Sequence, residues 1–371
     1  MVNRLIPPLT LQGSLLWKGN AITHLQLKAD VIRLDSSNHL GRLVSLSLTS
    51  IRPSVDKLVM PVDAWRSLEH LTTLHASSCI RINSETLPLL LCLTLLEDLS
   101  VLGLDRLPRR GHLSPGQGAA MLVPQGLPRL RSLAYDECCY PEALIDFLSW
   151  TGPCHAGFRN SEEPPNANPE HHTKTTDVVI THLSFCLNRN GSELESFRRL
   201  MDAGSTPLLI SQVIGLDLEM ASDAGLENFG QAPADEVLPS SLSSLAGTLR
   251  VLSMKGFHIS TSYASQLAEA LPGLCRVTLD ECWLMPGSLN GLQSLQGLSH
   301  VHLTSCLGSG MRPTFLLSFA ANSWRPLHLH VAVGLYAGDE EESVSDVMNE
   351  VAELLRSLRP EAYFSWDWFD N

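Results

Sequence analysis

The sequence predicts an α/β solenoid in which short parallel strands, each followed by a helix or turn, stack into one curved sheet. The strands would form the concave face and the helices or turns the convex face. Two observations predict this fold: a short apolar pattern recurs along the chain at nearly constant spacing, and several intervening stretches have helical periodicity. The 371 residues are 44% hydrophobic and 18% charged, which is enough apolar chain to fill such a core.

The recurring pattern places apolar residues at offsets 0, 3 and 5 and a cysteine or asparagine at offset 8. About two such matches are expected by chance in a shuffled chain of this composition, and five are present. They are Leu71-Leu74-Ala76-Cys79, Leu130-Leu133-Tyr135-Cys138, Ile180-Leu183-Phe185-Asn188, Leu274-Val277-Leu279-Cys282 and Leu298-Val301-Leu303-Cys306. Weaker copies include Leu25, Leu43, Leu99, Leu216, Leu252 and Leu327. Successive copies such as Val277 and Val301 are 24 residues apart, and about eleven units result.

The offsets have a simple physical meaning. Side chains alternate along a strand, so residues at offsets 3 and 5 point to the same side, and offset 0 enters that core from the preceding turn. At offset 8, where the strand ends, a small hydrogen-bonding side chain can bridge to the backbone of the next coil. One unit cannot bury its apolar edge alone, so neighbouring units must stack.

The pattern resembles the leucine-rich repeat, LxxLxLxx(N/C)xL. Its cysteine form is similar to the ribonuclease-inhibitor-like and F-box-associated subclass, and Cys282, Trp283 and Leu284 complete the motif. The resemblance covers nearly the whole chain and implies a protein-binding solenoid. We expect no F-box module, because the repeat begins near residue 22.

The expected organisation is an N-terminal capping segment at 1–21, a solenoid at 22–335, and a C-terminal capping helix with an aromatic tail at 336–371. Helices are predicted in STSYASQLAEALP from Ser260, in SELESFRRLMDAG and in PEALIDFLSW. The C-terminal helix would use an apolar face to cap the last coil, with Phe364, Trp366 and Trp368 packed behind it; docking of this region on another protein is the alternative. Loop insertions near 105–126, 151–176 and 221–241 are interpreted as mobile, or alternatively as lids that contact a partner.

Charge and composition exclude several classes of partner. The formal charge of −13, without a basic run, disfavours nucleic acid and anionic lipid. The longest apolar run, 87–96, is about half the length a bilayer requires, and we identify no signal peptide. Nine cysteines in a long chain fit reduced thiols in a cytosolic or nuclear setting, and a cytoplasmic location is expected. The protein is also expected to be a monomer. Local signatures of catalysis, cofactor binding and zinc chelation are absent from the sequence, and the protein is predicted not to be an enzyme.

Candidate binding residues alternate with the core positions and would face the concave surface. They are His75, Asp98, Asp136, Asp217, Lys255, Arg276, Thr278, Asp280, His300, His302, His328 and His330. Pairing Val301 with Leu327 would place His302 beside His328 and Thr304 beside His330. This histidine group is interpreted as a pH-sensitive partner-binding patch, a weak metal site, or simply solvated polar residues.

Three functions remain open from the sequence. The favoured hypothesis is a non-enzymatic scaffold that binds a protein partner on its concave face. The resemblance also implies a second possibility, the substrate-recognition component of a ubiquitin ligase. An axonemal or cytoskeletal structural role is the third.

Overall fold

The computed structural model describes residues 9–11, 23–29, 32–34, 40–50, 58–59, 65–105, 107, 126–138, 141–151, 180–188, 197, 201, 212–221, 238–323, 326–333 and 341–368. The chain divides into two compact units, Met1–Ile180 and Thr181–Asn371. Both units contain parallel strands separated by helices and turns. Within the described residues, no helix is both long enough and apolar enough to cross a membrane.

The first unit contains strands of a main parallel sheet and of a smaller three-stranded sheet. In chain order they are β1 (Leu9–Leu11), β2 (His24–Ala29), β3 (Ile32–Leu34), β4 (Ser45–Ser50), β5 (Leu58–Val59), β6 (Thr73–Ile82), β7 (Asp98–Leu104) and β8 (Ser132–Cys138). The main sheet has β2, β4, β6, β7 and β8 side by side, and the smaller sheet has β1, β3 and β5. The described helices of this unit are α1 (Leu87–Leu90) and α2 (Pro141–Thr151). The second of these confirms the helix predicted for PEALIDFLSW.

The leucine positions of successive repeats align in one row across the main sheet of the first unit. Leu46, Leu74, Leu99 and Leu133 occupy the same row on adjacent strands, and all four are fully buried. Leu71, at offset 0, is also fully buried. Each of these side chains gains roughly 1.5–3 kcal/mol from leaving water, so the row is the stabilising centre of the unit.

The second unit continues the same construction with one parallel main sheet. Its strands in chain order are β9 (His182–Asn188), β10 (Gly215–Ala221), β11 (Val251–Lys255), β12 (His258–Ile259), β13 (Arg276–Asp280), β14 (Trp283–Leu284), β15 (His300–Thr304), β16 (His328–Val333) and β17 (Tyr363–Trp368). Strands β12 and β14 form a separate short ladder, and the others lie side by side in chain order.

As far as Val301, the core row of the second unit also follows the predicted positions. Leu183, Leu216, Leu252, Val277, Val301, Leu329 and Phe364 are in register on successive strands. A second inward row includes Met254, Leu279 and Leu303. Together with the matching rows of the first unit, this alignment identifies the fold as an α/β leucine-rich repeat solenoid.

Helices and 3₁₀ turns connect the strands of the second unit. They are α3 (Leu238–Ser241), the turn Leu242–Leu245, α4 (Thr261–Ala270), the turn Ser288–Ser294, the turn Ser309–Met311, α5 (Pro313–Ala321) and α6 (Glu341–Leu358). Helix α4 confirms the prediction for the stretch at Ser260, whose hydroxyl accepts a hydrogen bond from the Tyr263 amide as an N-cap. Its apolar side, including Tyr263 and Leu267, is buried.

The described cysteines at offset 8 form the predicted type of hydrogen bond, but they form it with the preceding coil and not with the next one. The Cys79, Cys282 and Cys306 thiols donate to the carbonyl oxygens of Leu48, Met254 and Leu279 at 3.7, 3.3 and 3.2 Å. Each acceptor belongs to the preceding strand of the main sheet, whereas the sequence analysis expected a bridge to the next coil. Burial, and after it the neighbouring Cys306, raises the pKa of the Cys282 thiol well above its ordinary value, so this thiol stays protonated.

The predicted register between the last repeats is wrong by two residues. Val301 lies beside Leu329 rather than Leu327, so His300 pairs with His328, His302 with His330, and Thr304 with Ala332. A shift of two residues keeps every side chain on its own face. The apolar alternation is therefore satisfied by both registers and could not distinguish them.

The C-terminal segment differs from the prediction in its last part. Helix α6 is present, with Met348, Val351 and Leu355 buried and Val347, Leu354 and Leu358 exposed. The aromatic tail does not pack behind the helix as a separate layer: it forms β17, which pairs with β16 and places Phe364 in the core row. The side chain of Trp368 lies outside the described residues.

Several predicted segments fall largely outside the described residues. Of the N-terminal segment only β1 is described, and it pairs with β3. The three insertions are described only at their margins, where Leu238–Ser241 forms α3. In SELESFRRLMDAG only Phe197 and Met201 are described; both are buried, and the Phe197 ring contacts Phe185 edge-on at 5.1 Å.

Candidate protein-binding face

The candidate site is the outward face of the main sheet, defined as the face whose side chains alternate with the buried rows. In the first unit Ser47, His75, Ser100 and Ala134 form one file on this face. Ser100 is only 9% exposed and Leu102 on the same strand only 6%, so β7 is buried on both faces beyond Asp98. The side chain of Asp136, another candidate, lies outside the described residues. Among the first-unit candidates whose side chains are described, His75 and Asp98 are both partly exposed.

His75 and Asp98 form an ion pair on adjacent strands. The His75 Nε2 and Asp98 Oδ2 atoms are 3.4 Å apart, with 48% and 37% of the two side chains exposed. The hydrogen bond to Asp98 raises the pKa of His75 above 6.5, against the opposing effect of burial. Protonation of His75 therefore favours the folded state.

Replacing His75 with glutamine should remove a pH-dependent part of the stability. Because the folded-state pKa of His75 is raised, its contribution is complete below about pH 6.5 and is lost as the pH rises through the folded-state value. The half-exposed pair limits the effect to roughly 0.2–1 kcal/mol. Urea unfolding at about pH 5.5 and pH 8 would measure it. Equal losses at both pH values would contradict the assignment.

The second unit brings two more candidates, Asp217 and Lys255, into charged pairs. His182, which the sequence analysis did not single out, contacts Asp217 with its Nε2 atom 2.7 Å from Asp217 Oδ2. Lys255 Nζ lies 3.1 Å from Glu219 Oε1. Burial opposes the charge on Lys255, but Glu219 outweighs it and the pKa of Lys255 is raised. These pairs link neighbouring strands, and their side chains remain partly exposed on the face.

Asp280 lies next to Lys255 in register on β13. Burial, followed by the charge of Glu281, raises the pKa of the Asp280 carboxyl, while Lys255 acts in the opposite direction. Thr278, on the same strand, lies between Ser253 and His302 and is half-buried. The middle of this face is therefore polar and carries charges of both signs.

The histidine patch consists of His300, His302, His328 and His330 on β15 and β16. The His300 and His328 rings are stacked, with centroids 4.7 Å apart and planes 11° apart. The His302 and His330 rings are 5.4 Å apart and tilted by 52°. The structure brings all four candidates together as two cross-strand histidine pairs, whereas the predicted register would give one such pair.

Two histidines of the patch are harder to protonate than an ordinary histidine. Burial lowers the pKa of His300 below 6.5, and the charges of His328 and Arg276 lower it further. Burial likewise lowers the pKa of His302, assisted by His330, Arg276 and His300. Arg276 is in register with His300, which accounts for its effect on both. Positive charges within the patch and on Arg276 therefore repel one another.

Strand β17 adds residues that sequence reasoning missed. Tyr363 is 59% exposed and its ring lies 5.4 Å from His328. The Ser365 hydroxyl is hydrogen-bonded to His330 Nδ1 at 2.8 Å, and Asp367 Oδ1 lies 3.6 Å from His330 Nε2. Alternation of polar and apolar residues in YFSWDW was the signal for this strand, but aromatic residues occupied the leucine positions.

The described residues contain no group of three or more histidine, cysteine, aspartate or glutamate side chains arranged to hold a metal ion. The cysteines whose side chains are described, at positions 79, 92, 186, 275, 282 and 306, form no disulfide with one another. The described side chains of the face carry charges, hydrogen-bonding groups and histidine rings.

Comparison with known proteins gives a structural likeness at low sequence identity. No family model and no curated protein matches the chain. Among solved structures, an internalin from Listeria monocytogenes is similar, with 13% sequence identity, 81% of this chain and 85% of the internalin covered, and a TM-score of 0.28. The assignment to the leucine-rich repeat class of folds depends on the strand register of this chain and not on that likeness.

Proposed function

We propose that the protein is a non-enzymatic scaffold that binds a protein partner on the outward face of its main sheet, the face predicted to be concave. The observation that carries the proposal is the central file of the second unit. It contains Ser184, Asp217, Ser253, Thr278, His302, His330 and Ser365, in register on successive strands. These side chains are not used to fill the core, and parallel strands hold them in fixed positions.

The composition of this face suits a polar protein interface. Protein interfaces combine polar rims with a few aromatic or arginine side chains that dominate the binding energy. Arg276 is exposed on β13, and Tyr363 is exposed on β17 at the end of the sheet. They are the anchors we assign to the interface.

Crosslinking and mass spectrometry of the complex captured by the full chain would test the proposal. The double variant Arg276→Glu/Tyr363→Ala should reduce partner capture by at least about tenfold. Glu269→Lys is the matched control, since Glu269 is exposed on α4 and away from the sheet. Crosslinks that map to the helices, with equal capture by both variants, would refute the proposal.

The identity of the captured partner would also decide between the finer alternatives. A ubiquitin-ligase adaptor would support a substrate-recognition role. Cofractionation with microtubules would support an axonemal or cytoskeletal role.

A further inference from the structure

Arg276 and the histidine patch form one continuous group in two rows. The first row is Arg276, His300 and His328 on successive strands, and the second contains His302 and His330. Adjacent strands are about 4.8 Å apart, and side chains two residues apart on a strand are about 6.7 Å apart. Five basic or titratable side chains therefore share a small area of the outward face.

Acidic groups lie at the margin of this group. Asp280 and Asp367 both belong to the third row, which passes through Thr304 and Ala332. Asp367 contacts His330, which also bonds to Ser365. Tyr363 on β17 lies beside His328 and extends the first row. On acidification, His300 and His302 would therefore gain charge next to Arg276.

The ring geometry does not suit a metal ion. An ion must lie near the plane of each imidazole that ligates it, whereas the His300 and His328 rings are stacked almost parallel. The two rows instead spread the basic groups over three strands rather than converging them on one point. An extended ligand with several acceptor groups fits this arrangement better than a point charge does.

We propose that the histidine patch and Arg276 bind an acidic segment of the partner protein, and bind it more tightly as the pH falls. This inference rests on the proposed function. An extended peptide with carboxylates on alternate residues presents them about 6.7 Å apart, the same spacing as that between His300 and His302. The formal charge of the chain is −13. An acidic segment is therefore disfavoured over most of this surface and directed to its local basic group.

The direction of the pH effect follows from proton linkage. In the free protein, burial and neighbouring positive charges hold the pKa values of His300 and His302 below 6.5. A bound carboxylate favours the protonated rings and raises these pKa values, so binding takes up protons. Affinity is then greatest below the free-protein pKa values and declines as the pH rises through those of the complex.

Fluorescence anisotropy with the full chain and a labelled peptide of alternating glutamate and serine would test the inference. We expect affinity at about pH 5.5 to exceed that at about pH 8 by roughly tenfold, the effect of several exposed ion pairs forming together. The glutamates of the peptide stay ionised across this range, because the ordinary pKa of glutamate is about 4.3. A peptide of alternating glutamine and serine should show no such change.

Two sets of variants locate the effect. The triple variant His300→Gln/His302→Gln/His328→Gln should abolish the pH dependence, whereas Arg276→Gln should weaken binding at both pH values and still show higher affinity at the lower pH. The matched control is His70→Gln/His258→Gln, which removes histidines outside the main sheet. Circular dichroism verifies that each variant is folded.

The outcomes separate this inference from the proposed function. If the acidic peptide does not bind, or binds equally at both pH values, the inference is overturned. It is also overturned if the triple variant keeps the pH dependence. In each case crosslinks of a protein partner to the outward face would still support the scaffold function. Loss of those crosslinks would refute both proposals.

Discussion

Leu279→Asp should lower the free energy of unfolding of the second unit by about 3–5 kcal/mol. Leu279 is 2% exposed and lies in register between Met254 and Leu303 in the second inward row. The substitution removes roughly 1.5–3 kcal/mol of apolar burial and places a carboxylate where the row offers only hydrocarbon and thioether neighbours. Urea unfolding monitored by circular dichroism measures the loss.

The neighbouring position provides the control for that prediction. Thr278 points to the outward face between Ser253 and His302, so Thr278→Asp should change the free energy of unfolding by no more than about 0.5 kcal/mol. Leu279→Met, which keeps the volume and the apolar character, should cost less than about 1.5 kcal/mol. Similar losses for Leu279→Asp and Thr278→Asp would mean that the two faces are wrongly assigned.

The sequence was sufficient to assign faces because a strand has a period of two. Leu74, Leu99, Val277 and Val301 lie in the buried rows that their offsets predict. One inward residue fixes the orientation of a whole strand, and a local pattern is enough to identify it. The predicted parallel sheet follows, since each copy must bury the same edge against the next.

Register required information that the local pattern does not contain. Val301 and Leu327 are 26 residues apart, which matched the preceding intervals, whereas the true partner Leu329 is 28 residues away. Helix α5 and the turn before it occupy part of this longer connection. Because Leu327 is also buried, at the end of the preceding turn, it was a plausible but incorrect strand residue.

The candidate site was predictable as a set of residues but not as a set of contacts. Alternation identified the outward positions of His75, Arg276 and the four histidines of the patch. It could not indicate that His182 meets Asp217 or that Asp367 meets His330, pairs that are each separated by more than thirty residues in the chain. Such pairs depend on strand neighbours, and β17 was not recognised as one.

Gly308→Ala should destabilise the second unit by about 3 kcal/mol or more. Gly308 follows the offset-8 residue Cys306, and its φ of 95° belongs to a region that side chains rarely adopt. A Cβ atom there would lie 2.5 Å from the Leu284 carbonyl oxygen and 3.2 Å from the Leu284 amide nitrogen. These backbone atoms belong to the preceding coil, where the Leu284 amide donates to the Leu307 carbonyl at 2.7 Å. The clash would therefore separate two stacked coils at the point where they are hydrogen-bonded.

Gly247→Ala is the matched control for the same substitution in the same unit. A Cβ at Gly247 meets nothing within 4 Å, and its φ lies outside the positive range. The added methyl group restricts the unfolded chain, so stability should be unchanged or raised by about 0.4–1 kcal/mol. Thermal unfolding of both variants gives the comparison. A Gly308→Ala protein as stable as Gly247→Ala would show that the coils at residues 284 and 308 do not stack this closely, and the spacing of the repeat at this point would have to be revised.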